Sequence, residues 1–226
     1  MRALILAAGR GERMRPLTSE LPKPLLPVAG KPLIDYHIEA LARAGITELV
    51  VNLSWQGARL RDYLGDGARY GVDLQFSEEG PEPLETGGGI HHALPLLGPE
   101  PFWVVNGDIS CDFPFVMRSL PAGTLAHLVL VSNPEHHPAG DFVLRGGRIG
   151  GTETAGAAQL TFAGISVLAP ELFSGVQAGR FPLAPLLRRA AEQGQVSGER
   201  HSGRWTDVGT PERLRQLDME LRQARC

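Results

Sequence analysis

Long apolar runs are what this chain lacks most clearly. Crossing a bilayer takes about 20 consecutive apolar residues, and no segment of the 226-residue chain approaches that length, so no membrane partner is expected. Cysteine is scarce as well: the chain has Cys111 and Cys226, and the second is the last residue. A disulfide scaffold is therefore unexpected, and a cytoplasmic location follows. There is no excess of positive charge. Lys and Arg number 22 against 25 Asp and Glu, a net charge of −3, which argues against a nucleic-acid partner. The opening "MRALILAAGRGERM" has an apolar stretch too short, and too soon broken by charge, for a secretory leader. Ser/Gly linkers, internal repeats and low-complexity tracts are missing, so one domain over residues 1–226 is expected.

What is present is an alternation of apolar runs and helical spacing. "RALILAA" (Arg2 to Ala8) stops at glycine and reads as a buried strand. Leu33, Ile34, Ile38 and Leu41 recur at helical spacing before Gly45. "TELVVNL" (Thr47 to Leu53) is a second strand, and Ser54 is the expected N-cap of a helix to about Leu64. "VDLQFSE", "PFWVVNGD" and "TLAHLVLV" read as three more strands. "TGGGIHHALPLL" is a short helix that Pro95 should end or bend. Further on, "GDFVLRGGRI" suggests a hairpin with a glycine turn, and "QLTFAGISVL" another strand. "PLAPLLRRAAEQG" reads as a helix, and a last helix should start at Pro211. The expected fold class is α/β, a Rossmann-like mixed and mostly parallel sheet flanked by helices.

Gly9-x-Gly11 directly follows the first strand. The third glycine of a dinucleotide fingerprint would fall at position 14, where Met14 stands, and the second strand offers no acid for a ribose. A Walker loop fails for want of Gly-Lys-Ser/Thr. The loop still suits phosphate, because its glycines let backbone N–H groups point inward as an anion nest. Between Arg10 and Lys31 lie five basic residues (Arg10, Arg13, Arg15, Lys23, Lys31) and two acids (Glu12, Glu20). Pro22 and Pro24 stiffen the backbone around Lys23. The bland alternative is a solvated basic loop.

"LAAGRGERMRPLT" and "LPKPLLPVAGKPLI" together resemble the signature of the sugar-1-phosphate nucleotidyltransferases, L-A-A/G-G-x-G-x-R followed by P-K, P-V and G-K-P. The resemblance implies the GT-A-like nucleotidyltransferase fold. It also implies that the backbone of Leu6, Ala7, Ala8, Gly9 and Gly11 holds a nucleoside triphosphate. Arg13 would bind the leaving pyrophosphate, and Lys23 would contact both reacting phosphates; these two are the expected catalytic residues.

Bringing two anions together calls for Mg²⁺ and cationic side chains. Mg²⁺ takes one or two carboxylates and keeps phosphate oxygens and water as its other ligands. Asp108 ends an apolar strand beside Gly107, and Asp207 sits in "GRWTDVGTPERL" before the last helix. The family carries G-D and W-x-D-x-G-T at these places, so the resemblance implies Asp108 and Asp207 as the metal pair. For either alone, a turn or cap role is the alternative.

In "EPLETGGGI", Gly87 matches a family residue whose backbone meets the base, and Glu82 matches a base contact by spacing. The Glu-Lys motif that many members carry before "LTFAGISVL" is missing from "GAAQLTFAGI". Asn106 and Asp141 replace it as substrate-binding candidates, on position alone. Similarities along most of the chain ("PLETGGGI", "VNGD", "HLVLV", "LAPLLR") point to a branch acting on N-acetylmuramic acid α-1-phosphate with UTP in bacterial peptidoglycan recycling. That branch lacks a C-terminal β-helix, and none is expected here. Arg180, His137 and Arg204 are candidates for its lactyl carboxylate. The adjacent pairs His91-His92 and His136-His137 point their rings apart and are not read as zinc ligands. Trp103 and Trp205 read as core or cleft-wall residues.

The expected partners are thus UTP and a sugar 1-phosphate, with the nucleotide held by about residues 1–110 and the sugar phosphate by about 111–226. The alternatives are a mannose, glucose or heptose 1-phosphate with GTP, CTP or dTTP, a noncatalytic homologue, and an oxidoreductase that Met14 opposes.

Overall fold

A computed structural model describes residues 1–150 and 159–224. Its elements in chain order begin with β1 (Ala3–Leu6), α1 (Leu17–Glu20), β2 (Pro27–Val28), β3 (Lys31–Pro32), α2 (Leu33–Arg43), β4 (Glu48–Leu53) and α3 (Gly57–Leu64). Then come β5 (Asp73–Glu78), α4 (Glu85–Leu97), β6 (Phe102–Asn106), β7 (Ile109–Cys111) and β8 (Ala126–Val131). The chain continues through β9 (Phe142–Arg145), β10 (Arg148–Gly150), β11 (Gln159–Leu168), α5 (Ala184–Glu192), β12 (Val196–Arg200), β13 (Trp205–Asp207) and α6 (Pro211–Gln223).

Nine strands form one sheet in the order β5-β4-β1-β6-β11-β8-β12-β10-β9. β5, β4, β1 and β6 run parallel to one another. β11 is antiparallel to both β6 and β8, and β12 is parallel to β8. The parallel share is thus concentrated in the first half, where helices connect the strands, and the sheet is mixed beyond it. Its two faces follow from the strand period of two. Ala3, Ile5, Leu49, Val51, Trp103 and Val105 pack with Ile34, Ile38, Leu41 and Leu60 of α2 and α3. Leu4, Val50, Phe102 and Val104 turn the other way, onto Ile90, Ala93 and Leu97 of α4 and Leu187 of α5. Leu33, Ile34, Ile38 and Leu41, the helix stripe read from spacing, are each 1% exposed or less.

A third cluster holds Met14, Leu26, Val28 and Leu33 against Val208, Leu214 and Leu217. Met14, the residue that breaks the dinucleotide fingerprint, is an anchor that ties the opening loop to α6. The turn between β9 and β10 is Gly146-Gly147 with φ of 53° and 76°, the paired positive values a tight hairpin requires.

Two expectations need correction. Ser54 does not cap α3, which starts at Gly57 after Gln56; the Ser54 hydroxyl instead donates to the Gly80 carbonyl at 2.9 Å. Pro95 does not end α4, which runs on to Leu97. Residues 156–158, where the family's sugar-binding acid was sought, and Cys226 lie outside the described residues.

His37 of α2 is buried, and burial pushes its pKa down to about 4, against the field of Asp108 and a backbone hydrogen bond to Ile109. The folded pKa lies below the unfolded value near 6.5, so the native state is favoured by a neutral ring. That stability is complete above about pH 6.5 and falls as the pH drops towards 4, by roughly 3 kcal/mol. Urea midpoints across this window should fall more steeply for the wild type than for His37→Leu. Equal slopes would remove His37 as the titrating group.

Candidate active site

The loop after β1 is built by tight packing rather than by slack. Gly11 has φ 62°, and a Cβ there would stand 2.9 Å from Thr18 Cγ2 and 3.3 Å from Lys23 Cβ. The Thr18 hydroxyl donates to the Gly11 carbonyl at 2.8 Å. Lys23 opens a 3₁₀ turn, Lys23–Leu25, after an extended Pro22. Its side chain is 11% exposed and its Nζ lies 2.8 Å from Asp108 Oδ2.

These residues border a cleft of about 640 Å³. It is lined by the continuous segment Leu6 to Arg13, which carries Ala7, Ala8, Gly9 and Gly11, by Lys23, Asn106 and Asp108, and by Glu82, Glu85 and Arg180. A second cavity of about 300 Å³ is lined by His136, His137, Thr161, Trp205 and Asp207, and it shares Asn106 and Asp108 with the first. Asp108 and Asp207 come together on the β7–β13 ribbon, where Asp207 faces Ile109 and the Val208 N–H donates to the Asp108 carbonyl at 2.7 Å. Arg213 Nη1 reaches both Asp207 oxygens at 2.5 Å, and His136 Nε2 lies 3.0 Å from one of them. Two carboxylates and three cationic or cation-capable side chains thus meet at the junction of the two cavities.

Asn106 is held in place from β11. That strand shifts register between Phe162 and Ser166, and Gly164 there has φ 74°, where a Cβ would approach Asn106 Nδ2 to 2.7 Å.

A buried network that composition and spacing did not reveal supports the loop. The Ala7 N–H donates to Asn52 Oδ1 at 2.5 Å, and Asn52 Nδ2 donates to Glu79 Oε1 at 2.5 Å. The other Glu79 oxygen accepts from the Leu84 N–H at 2.7 Å. The available signal was an amide inside the apolar run "LVVNL". The three glycines that open α4 serve this packing. A Cβ on Gly87 would meet the Phe181 ring at 2.5 Å, one on Gly88 the Gly179 carbonyl at 2.2 Å, and one on Gly89 the Glu79 carboxylate at 2.4 Å.

Two expected site residues, Gly87 and Asp141, line neither cavity. Gly87 lies behind the cleft wall against Phe181, and Glu85 and Thr86 line the cleft beside it. Asp141 does not face either cavity: its carboxylate accepts from the Phe162 N–H at 2.8 Å and from His137 Nε2 at 3.1 Å. Glu82 is on the rim, paired with Arg10 at 2.8 Å. Among the lactyl candidates, His137 lines the second cavity and Arg180 the first, paired with Glu85 at 2.9 Å. Arg204 is turned to Asp112. Trp103 is core, fully buried, and Trp205 is cleft wall, donating to the Ala163 carbonyl at 2.9 Å.

Three comparisons match this arrangement. The family described as nucleotidyl transferase covers residues 2–131. The N-acetylmuramate alpha-1-phosphate uridylyltransferase of Neisseria meningitidis serogroup B is 52% identical over 222 residues, 96% of each chain. That of Caulobacter vibrioides is 35% identical, over 98% of this chain and 97% of its own. In fold, the chain is similar to the structure of a putative glucose-1-phosphate thymidylyltransferase from Bacillus anthracis, with a TM-score of 0.82 at 21% identity, covering 98% of this chain and 95% of that one.

The Asn52 network makes a stability prediction. Asn52→Ala removes the buried acceptor of the Ala7 N–H and the partner of one half-buried Glu79 oxygen beside the cleft, and should lower unfolding free energy by about 1 kcal/mol, read from urea midpoints at constant m. A change below about 0.5 kcal/mol would show that the network does not anchor the loop.

Proposed function

The chain belongs to the nucleotidyl transferase family, and from that premise we propose that it transfers a uridylyl group from UTP to N-acetylmuramic acid α-1-phosphate, giving the UDP-sugar and pyrophosphate. One observation carries the reaction: Lys23 and Asp108 meet at 2.8 Å where a larger and a smaller cavity share a wall. The choice of substrates rests on the two uridylyltransferases that resemble the chain from end to end.

In this reading the larger cavity takes the triphosphate and the smaller one the sugar. The inward N–H groups of Ala8 to Gly11 meet phosphate oxygens, and Arg13 on the cleft rim pairs with the departing pyrophosphate. Lys23 lies between the reacting phosphates and offsets their repulsion and the charge of the transition state. The attacking phosphate oxygen is already ionised, so no general base is needed. Asn106, on the shared wall, contacts sugar or phosphate. Asp141 orients His137, which we assign as a hydrogen-bond donor to the lactyl carboxylate.

Asp108 and Asp207 are hard oxygen donors on adjacent strands facing the cavities, a donor set that fits Mg²⁺. When bound there, Mg²⁺ would supply charge neutralisation to the phosphates. Arg213 and Lys23 hold the two carboxylates in position. Among the described residues no helix is long and apolar enough to cross a membrane. A cytoplasmic role in peptidoglycan recycling is part of the proposal.

Two measurements test it. Lys23→Ala should cut kcat by about 10²–10³-fold with little change in Tm, because the pair it breaks is partly solvated. Near-normal kcat would remove the role given to Lys23. Pyrophosphate release from UTP, GTP, CTP and dTTP, each with a set of sugar 1-phosphates, should show the highest kcat/KM for UTP with N-acetylmuramic acid α-1-phosphate. A higher value for any other pair would overturn the substrate assignment.

A further inference from the structure

The β7–β13 ribbon carries the paired aspartates at one end. At its other end, where Cys111 faces Trp205, a different set of side chains converges. Cys111 Sγ, an Asp112 carboxylate oxygen and a His201 ring nitrogen all lie within 4.8 Å of one another. None of the three lines either cavity of the active site.

The cluster is held from several directions. His201 Nε2 is 2.8 Å from Asp112 Oδ1, and its side chain is 11% exposed. Its ring stands edge-on to Phe113 at 5.6 Å. The Asp112 N–H donates to the Arg204 carbonyl at 3.2 Å, and Arg204 Nε lies 3.4 Å from Asp112 Oδ2. At Gly203 a Cβ would stand 2.3 Å from Asp112 Oδ1 and 2.7 Å from His201 Nε2. Glycine therefore leaves room beside the pair that any other residue would fill.

We propose that Cys111, Asp112 and His201 form a binding site for a zinc-class divalent cation, separate from the proposed magnesium site. The donor set decides the class: thiolate and imidazole favour Zn²⁺ or Co²⁺ over Mg²⁺. Metal–ligand distances of about 2.0–2.3 Å in a tetrahedral site put ligand atoms about 3.3–3.7 Å apart. From a spread of at most 4.8 Å, the cluster meets this by side-chain adjustments on the order of an ångström. Binding replaces the His201–Asp112 hydrogen bond by two metal bonds and adds a third to sulfur. The Cys111 thiol, whose pKa burial pushes up to about 11, gives its proton to solvent as the metal–sulfur bond forms. Three protein ligands leave a fourth position to water. The ion joins the end of β7 to the loop between β12 and β13, and so ties together the strand that follows Asp108 and the strand that ends in Asp207.

Cobalt reads this directly, because thiolate ligation gives Co²⁺ an intense near-ultraviolet charge-transfer band that a carboxylate site cannot produce. The whole protein is titrated with Co²⁺ in millimolar Mg²⁺, which occupies carboxylate sites. The expected result is a saturable band at one Co²⁺ per chain and a raised Tm. Cys111→Ser should abolish the band, and His201→Gln should weaken binding by at least about tenfold. Cys226→Ser should leave both unchanged. Circular dichroism of each variant separates lost binding from lost fold; if His201→Gln misfolds, Asp112→Asn takes its place with the same expectation. The proposal is overturned if no band appears at saturating Co²⁺, if the band survives in Cys111→Ser, or if it disappears in Cys226→Ser. None of these readouts depends on turnover, so failure here leaves the uridylyl-transfer reading standing.

Discussion

The close approach of β1 and β6 is the constraint on which the cleft depends. The two strands are parallel neighbours, with Leu6 opposite Asn106, so the loops that leave their carboxyl ends emerge side by side, where α/β sheets place ligands. The Gly107 N–H donates to the Leu6 carbonyl at 2.9 Å, and a Cβ at Gly107 would meet that same oxygen at 2.6 Å. Only glycine permits this spacing. It puts Asp108, the next residue, within reach of a lysine delivered by the other loop. The resulting pair is partly solvated and contributes little to stability; its value lies in fixing two groups at the wall between two cavities.

The loop that delivers Lys23 is long, and it is stiff because it has its own hydrophobic anchor. Met14, Leu26 and Val28 are buried with Val208, Leu214 and Leu217, and the Ala29 N–H donates to Asp218 Oδ1 at 2.7 Å. The same helix, α6, carries Arg213, which grips Asp207. The opening loop and the more distant carboxylate therefore belong to one packed unit. A movement of α6 would displace both sides of the proposed reaction centre together, which favours a preorganised site over one assembled by substrate.

Much of this was legible in the sequence. Short apolar runs and helical spacing located the strands of the first half and the α2 stripe, since strands buried on both faces and a helix buried on one leave those patterns directly in the chain. Lys23, Asp108 and Asp207 were found because short motifs carry them. What escaped were relations between distant segments. Asn52 serves Ala7 from 45 positions away, and no local pattern records that. Three glycines at 87 to 89 signal a close approach, but the chain does not say to what: a Cβ at each would collide with a different distant neighbour, Phe181, Gly179 or Glu79. Asp141 looked like a ligand because it is an acid near a strand; its oxygens are already taken by the Phe162 backbone and by His137.

Charge explains why so many acids can coexist at the junction. Asp108 has Lys23, and Asp207 has Arg213 and His136. Each of these two carboxylates is compensated locally, which weakens the repulsion a triphosphate would meet there. In the proposed reaction the arriving phosphates keep a net negative charge even with Mg²⁺ counted, so Lys23 and Arg13 are needed beside the two carboxylates that would hold the cation. A site of unpaired aspartates would bind the cation more readily but would oppose the approach of the sugar phosphate. Pairing each acid with its own base reconciles the two demands, and it requires the close β1–β6 contact and the α6 anchor to keep those pairs in register.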